Sequence, residues 1–177
     1  LLIYSIISLR LYLKFMTVEI YYKTSPSKKN PSNLVLFVDE KFNISSLKKH
    51  ISSSEYSYIE DVLKIKNSQK KIISFEISSK RKIILVSLNK KLSSSNVENL
   101  GAKFYEQNKD SKEVEYNINS DTLTSFSKNF IGNFLHGIRL KSYKFEKYKT
   151  KKNKLIISLN VTGKNIPSQK DQIKFSS

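Results

Sequence analysis

The sequence predicts an α/β domain, a mixed β-sheet with helices on both faces. Three observations predict it. Leu34–Val38 is a continuous apolar run, the mark of a strand buried on both faces. Segments rich in β-branched residues alternate along the chain with segments whose apolar residues recur at helical spacing. No internal repeat and no sustained heptad is present, which removes solenoids and coiled coils. At 177 residues and 38% hydrophobic content the chain has the material for one core.

Taken in order, Val18-Glu19-Ile20-Tyr21-Tyr22 is β-branched and aromatic and reads as a first strand. The stretch SPSKKNPSN (25–33) is a turn by its prolines, asparagines and serines, and Leu34–Val38 is the second strand. Ile44, Leu47, His50 and Ile51, then Tyr56, Ile59, Val62 and Leu63, recur at helical spacing and predict two short helices broken near Ser52–Ser54. Lys71–Ile77 and Lys82–Leu88 are two strands with a short polar link, an antiparallel hairpin. A run of serines then offers an N-cap to a helix with the face Val97, Leu100, Phe104 and Tyr105. Glu113–Ile118 alternates weakly and reads as a strand. Asp121 or Thr122 is placed to cap a long helix with the stripe Phe126, Phe130, Ile131, Phe134, Leu135 and Ile138. Leu155–Val161 is the last strand, and TGKNIPSQKDQ reads as a linker.

The ends are read separately. The apolar start LLIYSIISL is interrupted by Arg10, well short of the roughly 20 residues a membrane helix needs. Its charges come too late for a signal peptide. The only methionine is Met16, and MTVEIYYK reads as a natural start entering a strand. The expected division is an upstream or non-native extension over 1–15, the domain over 16–163, and the start of a linker over 164–177. No stable membrane association is expected. With no cysteine, disulfides and thiolate metal sites are excluded, and a reducing, cytoplasmic compartment fits.

The formal charge of +17 leaves two readings. It attracts polyanions without sequence preference, so a basic nucleic-acid-binding module is the alternative function. It also follows from a lysine-for-arginine, isoleucine-for-valine bias spread over the whole chain. The densest basic stretch, GIRLKSYKFEKYKTKK (137–152), favours a structural role. Ile138 continues the preceding helical stripe, Arg139 and Lys141 lie off it at the negative end of the helix dipole, and Tyr143, Phe145 and Tyr148 mark the exit. A single-strand-binding sheet would instead space its rings along a strand face for base stacking.

Chemistry-bearing motifs are sparse. Gly101, Gly132, Gly137 and Gly163 are too dispersed for a phosphate-binding loop. Gly132 and Gly137 fall inside the long helix, where each costs about 1 kcal/mol relative to alanine, and they read as close-packing positions. His50 and His136 have no partner at metal-ligand spacing. The one tight acidic pair, Glu60-Asp61, sits on a helix where neighbours point apart. No catalytic residue and no metal ligand is assigned.

The stretch 137–152 resembles the segment that closes the amino-terminal domain of the leucyl aminopeptidase family, hexameric two-metal peptidases. Gly137, Leu140, Tyr143, Phe145, Tyr148, Lys149 and Thr150 match its pattern of Gly-x-x-Leu, Tyr-x-Phe and Tyr-Lys-Thr, and NLGAKFYE (99–106) is similar to an earlier helix of that domain. The resemblance covers roughly residues 17–161. It implies a three-layer, macro-like α/β fold with a mixed sheet. It also implies a parent protein that removes amino-terminal residues from peptides with two divalent metals, zinc or manganese. Partners implied are a catalytic domain on the same polypeptide and further copies in a hexamer. The family's Asn-Thr-Asp-Ala-Glu-Gly-Arg motif is absent from the 177 residues. No metal, cofactor or catalytic role therefore transfers to any position here, and the seven signature residues are expected to be structural. A macro-type nucleotide pocket would need a glycine-rich loop after a strand, which TSPSKKNPSN does not supply.

Overall fold

The computed structural model describes residues 18–23, 33–65, 70–89, 92–112, 114–123, 129–146 and 156–176, with backbone alone for 144–146 and 173–176. Within them, strands β1 (Val18–Lys23), β2 (Asn33–Asp39), β3 (Ile72–Ser78), β4 (Arg81–Leu88), β5 (Glu115–Asn119) and β6 (Ile157–Thr162) form one sheet. The helices are α1 (Ser53–Ile65), α2 (Ser94–Asn108), α3 (Phe130–Glu146) and α4 (Gln169–Ser176), with 3-10 turns at Ser45–Lys49 and Ser120–Thr122. The strand order is β1-β6-β5-β2-β4-β3. Every pairing is parallel except β3 with β4. Those two are close enough in sequence for a tight turn, with Ser78 opposite Arg81. The parallel strands need crossovers: α1 lies between β2 and β4, α2 between β4 and β5, and α3 between β5 and β6.

β2 explains the layering. Its successive side chains point to opposite faces. Val35 and Phe37 join the core under α2 and α3, with Val97, Leu100, Phe104, Phe130, Phe134 and Ile138. Leu34, Leu36 and Val38 join a second core under the Ser45–Lys49 turn and α1, with Leu47 and Ile59. The sheet is thus the middle of three layers, and the unbroken apolar run is what a strand covered on both sides requires.

The helix starts follow local rules. Ser52 and Glu55 form a capping box at α1: the Ser52 hydroxyl accepts from Glu55 N–H at 3.3 Å, and the Glu55 carboxylate accepts from Ser52 N–H at 2.9 Å. Ser93 caps α2 by accepting from Asn96 N–H at 3.3 Å.

Three expectations change. Asp121 and Thr122 do not cap the long helix, which begins at Phe130; they belong to a separate 3-10 turn that ties strands together. The first of the two short helices is a 3-10 turn. In residues 164–177, Ile166 packs on the main core and Gln169–Ser176 is a helix lying against α3. Phe126, Tyr148, Lys149 and Thr150 lie outside the described residues, as do 1–17. No described helix is long and apolar enough to cross a membrane.

Candidate functional site

Of the signature residues, Gly137, Leu140, Tyr143 and Phe145 lie on α3, whose buried stripe is Phe130, Ile131, Phe134, Leu135 and Ile138. Gly137 sits beside that stripe, against α2. A Cβ placed there would stand 2.6 Å from the carbonyl carbon and 2.7 Å from the Cα of Glu98, and closer still to its oxygen. Gly101 on α2 is in the reciprocal position: its Cβ would stand 3.0 Å from the carbonyl carbon of Phe134 and 3.1 Å from Ile138 N. Two glycines therefore let the helices touch backbone to backbone. Beside the crossing, His136 Nδ1 is 3.0 Å from Glu98 Oε1. One turn further, Glu106 joins Lys109 on its own helix and Lys141 of α3 at 3.3 Å. The Lys109 hydrogen bond, against the opposing effect of burial, and then Lys141 hold the Glu106 carboxyl below its ordinary range.

Leu140 and Tyr143, three residues apart, are 46% and 57% exposed on α3. Phe145 belongs to the helix by its backbone alone. The Gly137 position thus has a packing role inside the domain, whereas Leu140 and Tyr143 present apolar surface to the outside. On the β1 side, burial pushes the Tyr22 phenol up while Arg139 works against that shift, and burial likewise lowers the Arg139 guanidinium with Tyr22 opposing.

The second cluster lies at the carboxyl ends of β2, β5 and β6, the edge at which open α/β sheets place ligands. β2 and β5 pair only as far as Val35 with Ile118. Beyond that point the Thr122 hydroxyl replaces the strand: its Oγ1 accepts from Phe37 N–H at 2.9 Å and donates to Asn119 C=O at 2.9 Å. Asn119 Oδ1 accepts from Asp121 N–H at 2.9 Å, and its Nδ2 lies 3.0 Å from His50 Nδ1. Asp121 Oδ1 accepts from Lys164 N–H at 2.8 Å, and Ser120 Oγ accepts from Asn165 N–H at 3.1 Å. Gly163 makes the turn into this contact with φ +105°, and a Cβ there would meet Ser120 Oγ at 2.6 Å. The polar groups named here are engaged with one another, except His50 Nε2, which is buried without a hydrogen-bond partner.

Among the described residues no three of His, Asp and Glu stand together as metal ligands would. Glu60 and Asp61, read as pointing apart, both reach Lys64 at 3.4 Å. Local spacing gave no sign of the pairs His136–Glu98 and His50–Asn119, because their members are 38 and 69 residues apart.

The order β1-β6-β5-β2-β4-β3, with one antiparallel edge and helices on both faces, decides the fold. It is macro-like. A macrodomain of Thermus aquaticus DarG matches 83% of this chain and 99% of its own at a TM-score of 0.53 and 8% identity. A tomato leucine aminopeptidase mutant matches 90% of this chain at a TM-score of 0.63 and 18% identity. The match spans 35% of the tomato chain, so this chain corresponds to about a third of it. No family model and no curated protein sequence matches.

Proposed function

We propose that this macro-like domain is the non-catalytic amino-terminal domain of a metal-dependent leucyl aminopeptidase, and that it contributes to assembly of a peptidase that removes amino-terminal residues from peptides. The observation that carries this reading is the superposition of 90% of the chain on part of a leucine aminopeptidase. Three of the signature positions support it. Gly137 is the close-contact point of the α2–α3 crossing, and Leu140 and Tyr143 leave apolar surface on α3 for the rest of the same polypeptide to cover. In this reading zinc or manganese, the catalytic carboxylates and the hexamer contacts belong to the larger protein.

The purified 177-residue chain is expected to show no turnover of a leucine amide with Mn²⁺ or Zn²⁺ supplied, since a two-metal site needs several converging ligands about 3.5–4 Å from metal to metal. The native polypeptide captured by an antibody against this domain is expected to turn the amide over, and to lose that activity to a chelator. A captured polypeptide without peptidase activity contradicts the reading.

A further inference from the structure

The His50–Asn119 contact has a chemical direction that the geometry fixes. Asn119 Oδ1 accepts from Asp121 N–H at 2.9 Å, which sets the orientation of the amide and leaves Nδ2 to face His50 at 3.0 Å. Nδ2 can only donate. His50 Nδ1 must then be the acceptor, so the ring is neutral and its proton sits on Nε2. That second nitrogen is buried with no hydrogen-bond partner.

A proton added to Nδ1 would place an N–H against the N–H of Asn119. Two adjustments relieve this. The ring can swing away, which breaks the His50–Asn119 bond. Alternatively the amide can turn over, which presents its NH₂ to the Asp121 N–H and breaks the turn. The turn has further dependents: Phe37 N–H rests on Thr122, Lys164 N–H on Asp121, and Asn165 on Ser120.

We propose that His50 is a proton-operated latch: while neutral it holds the Ser120–Thr122 turn closed through Asn119, and when protonated it releases the carboxyl ends of β2, β5 and β6. The inference is independent of the aminopeptidase reading. The charges acting on the ring are Lys49 beside it and Asp121 on the turn. On α1, Glu55 is turned to Arg81 and to Ser52. Burial first, and then Lys49, hold His50 below the ordinary histidine value, with Asp121 pulling the other way. Release therefore belongs to pH below the ordinary histidine value, and the closed turn to neutral pH.

The test is a pH titration of the ¹⁵N-labelled 177-residue chain from pH 8 to pH 5. It reads the His50 ring nitrogens together with the hydrogen-exchange protection of the Asp121, Lys164 and Asn165 amides. The expected result is an Nε2–H tautomer at pH 8 and a loss of protection at those amides whose midpoint coincides with the His50 titration. Val86, buried on β4 between β2 and β3, should keep its protection. His50→Gln keeps an acceptor for Asn119 but no titrating group, and its three amides should stay protected to pH 5. An Nδ1–H tautomer at pH 8, or amides unmoved through the His50 titration, would overturn the proposal. So would an acid-induced loss that persists in His50→Gln at the same midpoint. Should that variant fail to fold, the two midpoints in the unsubstituted chain decide alone.

Discussion

Gly101 and Gly137 occupy matching places on two crossing helices, each with the other helix's backbone carbonyl where its side chain would be: Phe134 O over Gly101 and Glu98 O over Gly137. The contact fixes how closely α2 and α3 lie on the sheet, and hence how Phe104 and Phe134 meet, at 5.7 Å between ring centroids.

Alanine at either position should therefore destabilise the domain, although alanine favours an isolated helix by about 1 kcal/mol. Backbone cannot move aside as a flexible side chain can, and overpacking costs about 1–3 kcal/mol. Denaturant unfolding of Gly101→Ala, Gly137→Ala and the double variant should show both singles destabilised and the double less than additive, since one helix shift relieves both clashes. A stabilised single variant would mean that the helices are not in backbone contact.

Phe134→Ala should cost about 3–5 kcal/mol. The ring is fully buried and lies 5.7 Å from Phe37, edge-on, as well as beside Phe104 and Phe130. Thermal unfolding of Phe134→Ala beside Tyr143→Ala, whose side chain is exposed, separates the two faces of α3. Equal melting temperatures would contradict the burial described.

Glu55 gives a pH-dependent term. Burial works to raise its carboxyl, but the Arg81 hydrogen bond at 2.5 Å and the Ser52 N–H outweigh it and leave the group below the usual carboxylate range. A depressed folded-state value means that the unfolded chain binds the proton more readily. The stabilisation is complete above the unfolded value of about 4.3 and is lost as pH falls through the folded one. Glu55→Gln should lower stability at pH 7 by about 1–3 kcal/mol and flatten this acid limb. An unchanged limb would place the titration elsewhere.

The architecture was legible in the sequence where local pattern and burial agree. Leu34–Val38 announced a doubly covered strand, and the spacing of Val97, Leu100, Phe104 and Tyr105 announced the face of α2. Gly137 was legible as a packing position, but not its partner, because a reciprocal crossing with Gly101 depends on two helices meeting 36 residues apart in sequence. Asp121 and Thr122 misled for a physical reason. The side chains that cap helices also close turns, and only the early end of the β2–β5 ladder explains why Thr122 is needed beside Phe37. The histidine contacts were invisible, since neither His50 nor His136 has its partner within reach of local spacing.

The net charge of +17 carries its own expectation. Binding of the chain to duplex DNA at 50 mM salt should lack sequence preference and weaken roughly 10³-fold or more by 200 mM, as counterion release requires. Titration by fluorescence anisotropy at both salts reads it directly. A sequence-selective complex that survives 200 mM salt would favour the nucleic-acid module over the aminopeptidase domain.

Sequencing the native transcript past the codon for Ser177 is the sharpest test of the proposed aminopeptidase role. The expected result is an in-frame continuation that encodes a carboxylate-rich metal site with Asn-Thr-Asp-Ala-Glu-Gly-Arg. A stop codon at that point in the native message, or an in-frame domain of another kind, would contradict it.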